Sequence, residues 1–196
     1  MKKKIAILAV VAICIATLAS GTVAYFTAED TAHNVITSGG VNIDVIEKTK
    51  GEGDVLVDFP DKGIQGVMPG TAVSKIVRVE NIGASEAWIR VKVEETIVTT
   101  EGEALPLTVS EGLPVMAYSV LEGWADGGDG YWYYETPVAP GTSTEVLFEE
   151  IVFEPTMGNE YQNCTANLII YAQAVQTANN GETALDAQGW SEEIAE

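Results

Sequence analysis

His33 is the only histidine in the chain, and Glu29 and Asp30 are the acids nearest to it in sequence. Zinc hydrolases usually present three protein ligands and a general base on a firm scaffold, often with two histidines one helical turn apart. Three ligands crowded into one extended stretch do not meet that need, so no catalytic metal is expected. Cys164 and the serines lack a histidine base on any regular element, because His33 lies in the N-terminal arm. The glycines at 127, 128 and 130 come without the lysine and following helix of a phosphate loop. Asp126, Asp129 and Glu122 carry oxygens that suit calcium, yet a tight turn explains the same spacing, and both readings stay open. Trp124, Tyr131, Trp132, Tyr133 and Tyr134 could stack on sugars. Period two divides Tyr131 and Tyr133 from Trp132 and Tyr134, so one pair is expected in the core. No catalytic, cofactor or metal residue is assigned, and an enzyme is not expected.

Strands must position these side chains. Residues 87–95, AWIRVKVEE, put Ala87, Ile89, Val91 and Val93 on one face and Trp88, Arg90, Lys92 and Glu94 on the other. That alternation predicts a strand with one buried and one wet side. Val73, Val77 and Val79 repeat it upstream, and Asn81-Ile82-Gly83 supplies a turn, which predicts a hairpin. Further strands are predicted at 41–47, 55–59, 115–121, 131–135, 144–153 and 166–175. Turn chemistry at Met68-Pro69-Gly70, 126–130 and Ala139-Pro140-Gly141 separates them. About eight short strands without a helical period imply an all-β fold, an antiparallel β-sandwich or jelly roll. The domain is expected to span 41–178. Beyond it, Asn179-Asn180-Gly181 and a run of small and acidic residues predict an acidic flexible tail over 179–196. Within that tail Leu185, Trp190 and Ile194 could cap the domain or meet a neighbour.

The first 24 residues have the three parts of a secretory signal: Lys2-Lys3-Lys4, an apolar stretch from Ile5 to Leu18, and a small-residue exit ending at Ala24. The apolar stretch is shorter than the roughly 20 residues that span a bilayer, so no lasting membrane span is expected. Cleavage is predicted between Ala24 and Tyr25. It removes three lysines, so Lys and Arg fall from 10 to 7 against 29 acids and the formal charge moves from −19 to −22. Such a chain repels nucleic acid and anionic lipid. Cys164 is then the one remaining cysteine and cannot close an intrachain disulfide.

Three stretches together resemble the TasA/camelysin family of Gram-positive secreted proteins. They are GTVAYFTAEDTAHNVITSGGVNIDV at the cleavage region, VMPGTAVSKIVRVENIGASEAWIRVKVEE, and YWYYETPVAPGTSTEVLFEE with NCTANLIIYAQAVQ. They cover most of residues 1–178. The resemblance implies a specialised signal peptide removed by a dedicated signal peptidase. It also implies a jelly-roll subunit of extracellular biofilm-matrix fibres, in which the N-terminal arm of one molecule completes the sheet of the next. An accessory matrix protein or polysaccharide is a candidate further partner. The camelysin side of the family implies metallopeptidase activity, against which the single histidine stands.

The arm, 25–40, carries Tyr25, Phe26, Val35 and Ile36 as its larger apolar groups. Their burial falls short of the entropy lost on ordering the backbone from 25 to 38, so an acceptor must add main-chain pairing and apolar contact. Strand addition at an open edge supplies both, and head-to-tail joining of this kind gives a filament unless the rotation closes a ring. The same arm could instead fold back as an edge strand of its own domain. Asp30, His33, Asn34 and Gly39-Gly40 make it polar and bendable, which suits a hinge. The expected function is a secreted structural fibre subunit. Its rivals are a monomeric cell-wall-associated binding module and a camelysin-type metallopeptidase.

Overall fold

The computed structural model describes residues 26–29, 34–37, 40–60 and 63–191. The segment predicted to be a signal, the predicted cleavage junction between Ala24 and Tyr25, Asp30 and His33 lie outside them. Among the described residues twelve strands run in chain order: β1 (Phe26–Glu29), β2 (Asn34–Thr37), β3 (Ile43–Lys50), β4 (Leu56–Asp58), β5 (Ile64–Val67), β6 (Ala72–Asn81), β7 (Ala87–Val98), β8 (Met116–Ala117), β9 (Trp124–Asp126), β10 (Trp132–Tyr134), β11 (Phe148–Phe153) and β12 (Thr165–Gln176). One sheet has the order β5-β1-β12-β7-β10-β9, with β2 also on β12; the other is β4-β3-β6-β11-β8. The protein is all-β, and both sheets are antiparallel except where β1 and β2 join β12. No helix among the described residues is long and apolar enough to cross a membrane.

Period-two alternation builds the core. Val77, Val79, Phe148 and Phe153 of one sheet meet Ile89, Val91, Leu168 and Ile170 of the other in a single buried cluster. Each such side chain contributes about 1.5 to 3 kcal/mol when fully buried. Lys75 and Glu47 also point inward and form a buried ion pair, with the Lys75 ammonium 4.0 Å from the centre of the Phe59 ring.

Three expectations need correction. The alternating strands β6 and β7 do not form a hairpin: they belong to different sheets, and residues 82–86 carry the chain across the core. Asn81 makes this corner. Its fully buried side chain donates to the Ser85 and Val138 carbonyls at 2.8 Å each and accepts from the Gly83 N–H at 3.0 Å. A Cβ on Gly83 would lie 2.6 Å from the Asn42 nitrogen, so only glycine lets the corner pass. The second correction concerns the outer face of β7. Trp88 and Arg90 are 4% and 8% exposed rather than wet.

Their cover is the stretch predicted to be a loose tail. Through Ser191 it folds over the outer face of β7, β10 and β12, where Ala184 and Ala187 pack with Trp88, Tyr133 and Val175. Asn180 closes this stretch on itself, donating to the Gln176 and Gln188 carbonyls and accepting from the Gln188 N–H. Trp88 donates its indole N–H to the Asn180 carbonyl at 3.0 Å. Apolar side chains exposed on that face supply the reason: covering Trp88, Tyr133 and Val175 outweighs ordering a short segment. Residues 192–196 lie outside the described residues.

Candidate assembly site

β12 organises the arm-bearing sheet. One edge pairs with β7 along its whole length, from Thr165 opposite Val98 to Gln176 opposite Ala87. The other edge pairs with the two described pieces of the chain's own arm. Thr27, Ala28 and Glu29 lie beside Thr165, Ala166 and Asn167, while Asn34, Val35, Ile36 and Thr37 lie beside Tyr171 to Ala174, all in parallel. From Glu29 to Asn34 the arm takes one step more than β12 does over the matching stretch, so the register slips once between the two pieces.

The two halves of the arm are held differently. β1 sits in a slot, parallel to β12 on one side and antiparallel to β5 on the other, with Thr27 beside Gln65 and Ala28 beside Ile64. Among the described residues, β2 pairs with β12 and with no second strand of the sheet. Ala166, Leu168, Ile170, Ala172 and Ala174 of β12 point into the core and are buried, so the strand bordering the arm is anchored from within. Without the arm, β12 would present a long row of unpaired N–H and C=O groups, and β5 would lose its strand partner.

The outer face of β12 is clamped by Arg90. Its guanidinium donates twice to Gln173 Oε1, at 2.8 and 2.9 Å, and once to the Tyr133 hydroxyl at 2.9 Å. It also stacks 3.9 Å from the Tyr131 ring centre and 4.8 Å from that of Trp190. Gln173 in turn donates to the Ser191 carbonyl at 3.2 Å. The C-terminal stretch thus grips the residue whose backbone neighbour on the arm is Ile36.

Other candidate groups are engaged in structure. Asp126 accepts from the Gly128 N–H at 2.8 Å, and Asp129 accepts from the Tyr131 N–H at 3.0 Å and the Tyr133 hydroxyl at 2.7 Å. Burial pushes the Asp129 carboxyl up, but the bonds from Tyr133 and Tyr131 and the nearby Arg90 charge outweigh it and hold the pKa below the ordinary value. These bonds are those of a turn. Among the described residues no group of three or more His, Cys, Asp or Glu is placed to hold a metal ion. Tyr134 and Trp132 turn toward the core while Tyr133 and Tyr131 lie under the C-terminal stretch, so both faces of this aromatic run are covered. Cys164, just before β12, is buried, and burial pushes its thiol pKa up.

Sequence reasoning singled out the arm but missed β5 as the far wall of the slot and Arg90 as the clamp. Ile64-Gln65-Gly66-Val67 is too short to show periodicity, and Arg90 reads as one more polar residue on a wet face. Comparison with protein-family models and with curated protein sequences returned no match for the chain.

Proposed function

We propose that the chain is a secreted structural subunit of an extracellular biofilm-matrix fibre, of jelly-roll type and of the TasA/camelysin kind. Subunits join head-to-tail when the arm of one molecule leaves its own sheet and completes the sheet of the next. One observation carries this proposal: a segment joined to the body through its C-terminal end pairs with the second edge of β12 at 165–167 and again at 171–174. Such an edge accepts an identical segment from a second copy equally well, and exchange of that kind adds little net pairing cost. The dedicated signal peptidase and an accessory matrix protein or polysaccharide remain its proposed partners. A monomeric wall-associated module is the second reading, and docking of the arm in its own body is the observation on its side.

The test compares three forms of the mature protein by electron microscopy and sedimentation. Protein starting at Tyr25 should form fibres, and protein lacking residues 25–38 should not. Thr27→Cys with Thr165→Cys, in a Cys164→Ala background, joins register partners and should lock the closed monomer when oxidised. Reduction should then restore fibre growth. Mature protein that stays solitary at high concentration, or an armless form that still polymerises, rules out the proposal.

A further inference from the structure

We propose that the arm reverses its direction on assembly: it lies parallel to β12 in its own subunit and antiparallel to β12 in the next. This inference rests on the arm exchange proposed above and names the geometry of the partner site, which is the β12 edge of a second copy entered from its Thr165 end.

Topology forces the choice. One pole of the molecule gathers the root of the arm, the start of β3, the β6 to β7 corner and the end of β12. There Thr37 lies beside Ala174, Ile43 beside Asn81, and the Thr177 N–H donates to the Glu86 carbonyl at 3.2 Å. The far pole holds β1, Thr165, Val98 and the start of β6. The arm runs toward the root pole and β3 runs away from it, so the chain doubles back between Thr37 and Ile43. That connection spans at most about 20 Å when fully extended.

Suppose a donated arm kept its parallel register. Thr37 would have to reach Ala174 of the acceptor while Ile43 stayed in the donor, which brings two root poles face to face. Each molecule's arm then lies at the other's groove, and the natural product is a closed reciprocal pair about a two-fold axis. A filament needs the root pole of one subunit against the far pole of the next. An arm leaving that root enters the acceptor at Thr165 and points its N-terminus toward Ala174, which is antiparallel to β12.

Three features favour reversal. The part of the groove bordered by β12 alone changes from parallel to antiparallel pairing, the more stable kind per residue, while the slot between β5 and β12 trades one of each for one of each. The arm sequence tolerates it, because Tyr25-Phe26 at one end and Val35-Ile36 at the other flank a polar middle of Glu29, Asp30, His33 and Asn34. Gly40 suits the opening of this corner, because it has φ +75° and, apart from its chain neighbours, no atom of the described residues within 4 Å of where a Cβ would stand.

Cysteine pairs in the full mature protein, in a Cys164→Ala background, decide the matter. Reversal with the same single slip, and with Thr27 set beside Gln173, brings Ile36 to Thr165 and Asn34 to Asn167. In the closed form Ile36 lies beside Gln173, roughly 26 Å along β12 from Thr165. Fibres of Ile36→Cys/Thr165→Cys, and independently of Asn34→Cys/Asn167→Cys, should oxidise to a ladder of covalent oligomers, while Thr27→Cys/Thr165→Cys should yield intrachain links alone. Interchain links through Thr27 and Thr165, or fibres in which neither antiparallel pair links, overturn reversal but leave arm exchange standing. Absence of fibres in the unsubstituted protein sinks both.

Discussion

At the residue scale, Arg90 does the most and was the least visible. Its side chain joins β7 to Gln173 of β12, to Tyr133 of β10 and to the C-terminal stretch, with little solvent to replace any of these bonds. Arg90→Ala strands the Gln173 carbonyl oxygen and should cost about 3 kcal/mol, read as a lower urea midpoint. Arg90→Lys keeps the charge but not the fork or the flat stack, so it should recover only part of that loss. Glu95 shows the opposite economy. It sits on the core-facing side of β7, and burial raises its pKa above the ordinary 4.5, while nearby Tyr118 is pushed up to about 12 by burial and by the Glu95 charge. A carboxyl with a raised folded pKa holds its proton more tightly in the folded state. Its contribution is therefore most favourable in acid and is lost as pH climbs from 4.5 through the raised value. Glu95→Gln should exceed the wild type in stability at pH 7, and the gap should close below pH 4.5. A pH series of urea melts on the two proteins measures it; a gap that does not change with pH refutes this account.

At the element scale, the C-terminal stretch decides whether the outer face of the arm-bearing sheet is dry. Trp190 packs edge-on against Tyr133, with ring centres 5.8 Å apart, and lies over Arg90. Trp190→Ala should cost about 2 kcal/mol, less than a fully buried tryptophan because Trp190 is half-buried. Truncation after residue 178 should cost more and raise binding of a hydrophobic dye, since it uncovers Trp88, Tyr133 and Val175 together. A truncated protein with the full urea midpoint would mean the cover adds nothing. This layer was illegible in the sequence for a physical reason. Alternation tells which residues share a face, but the cover for Trp88 and Arg90 arrives from the far end of the chain. The same limit explains the β6 and β7 error: both strands show a buried stripe, and nothing in a stripe says which sheet it faces. β7 and β12 were legible because each alternates over many residues; β5 and β9 were too short to show a period. Gly39-Gly40 marked the arm as a separate piece, yet its place beside β12 depends on non-local pairing that no local pattern encodes.

At the scale of the whole molecule, charge opposes the proposed strand exchange. The chain carries a formal charge of −19, which removal of the predicted signal segment would bring to −22, so bodies stacked in the proposed fibre would repel one another. Repulsion between exposed charges reaches about 30 Å at 0.01 M salt but only about 10 Å at 0.1 M and 3 Å at 1 M. The pairing that holds the arm is short-range and partly shielded, so salt should weaken the repulsion far more than the attraction. Fibre growth from the mature protein should therefore be slow at 0.01 M salt and quicken several-fold by 0.1 to 0.2 M, with little further gain once the screening length falls below the spacing of surface charges. Light scattering across a salt series, with the armless protein as control, reads this directly. Growth that slows as salt rises would require oppositely charged surfaces to meet between subunits. With 29 acids against 7 bases, that would call for a basic partner outside the chain rather than a second copy of it.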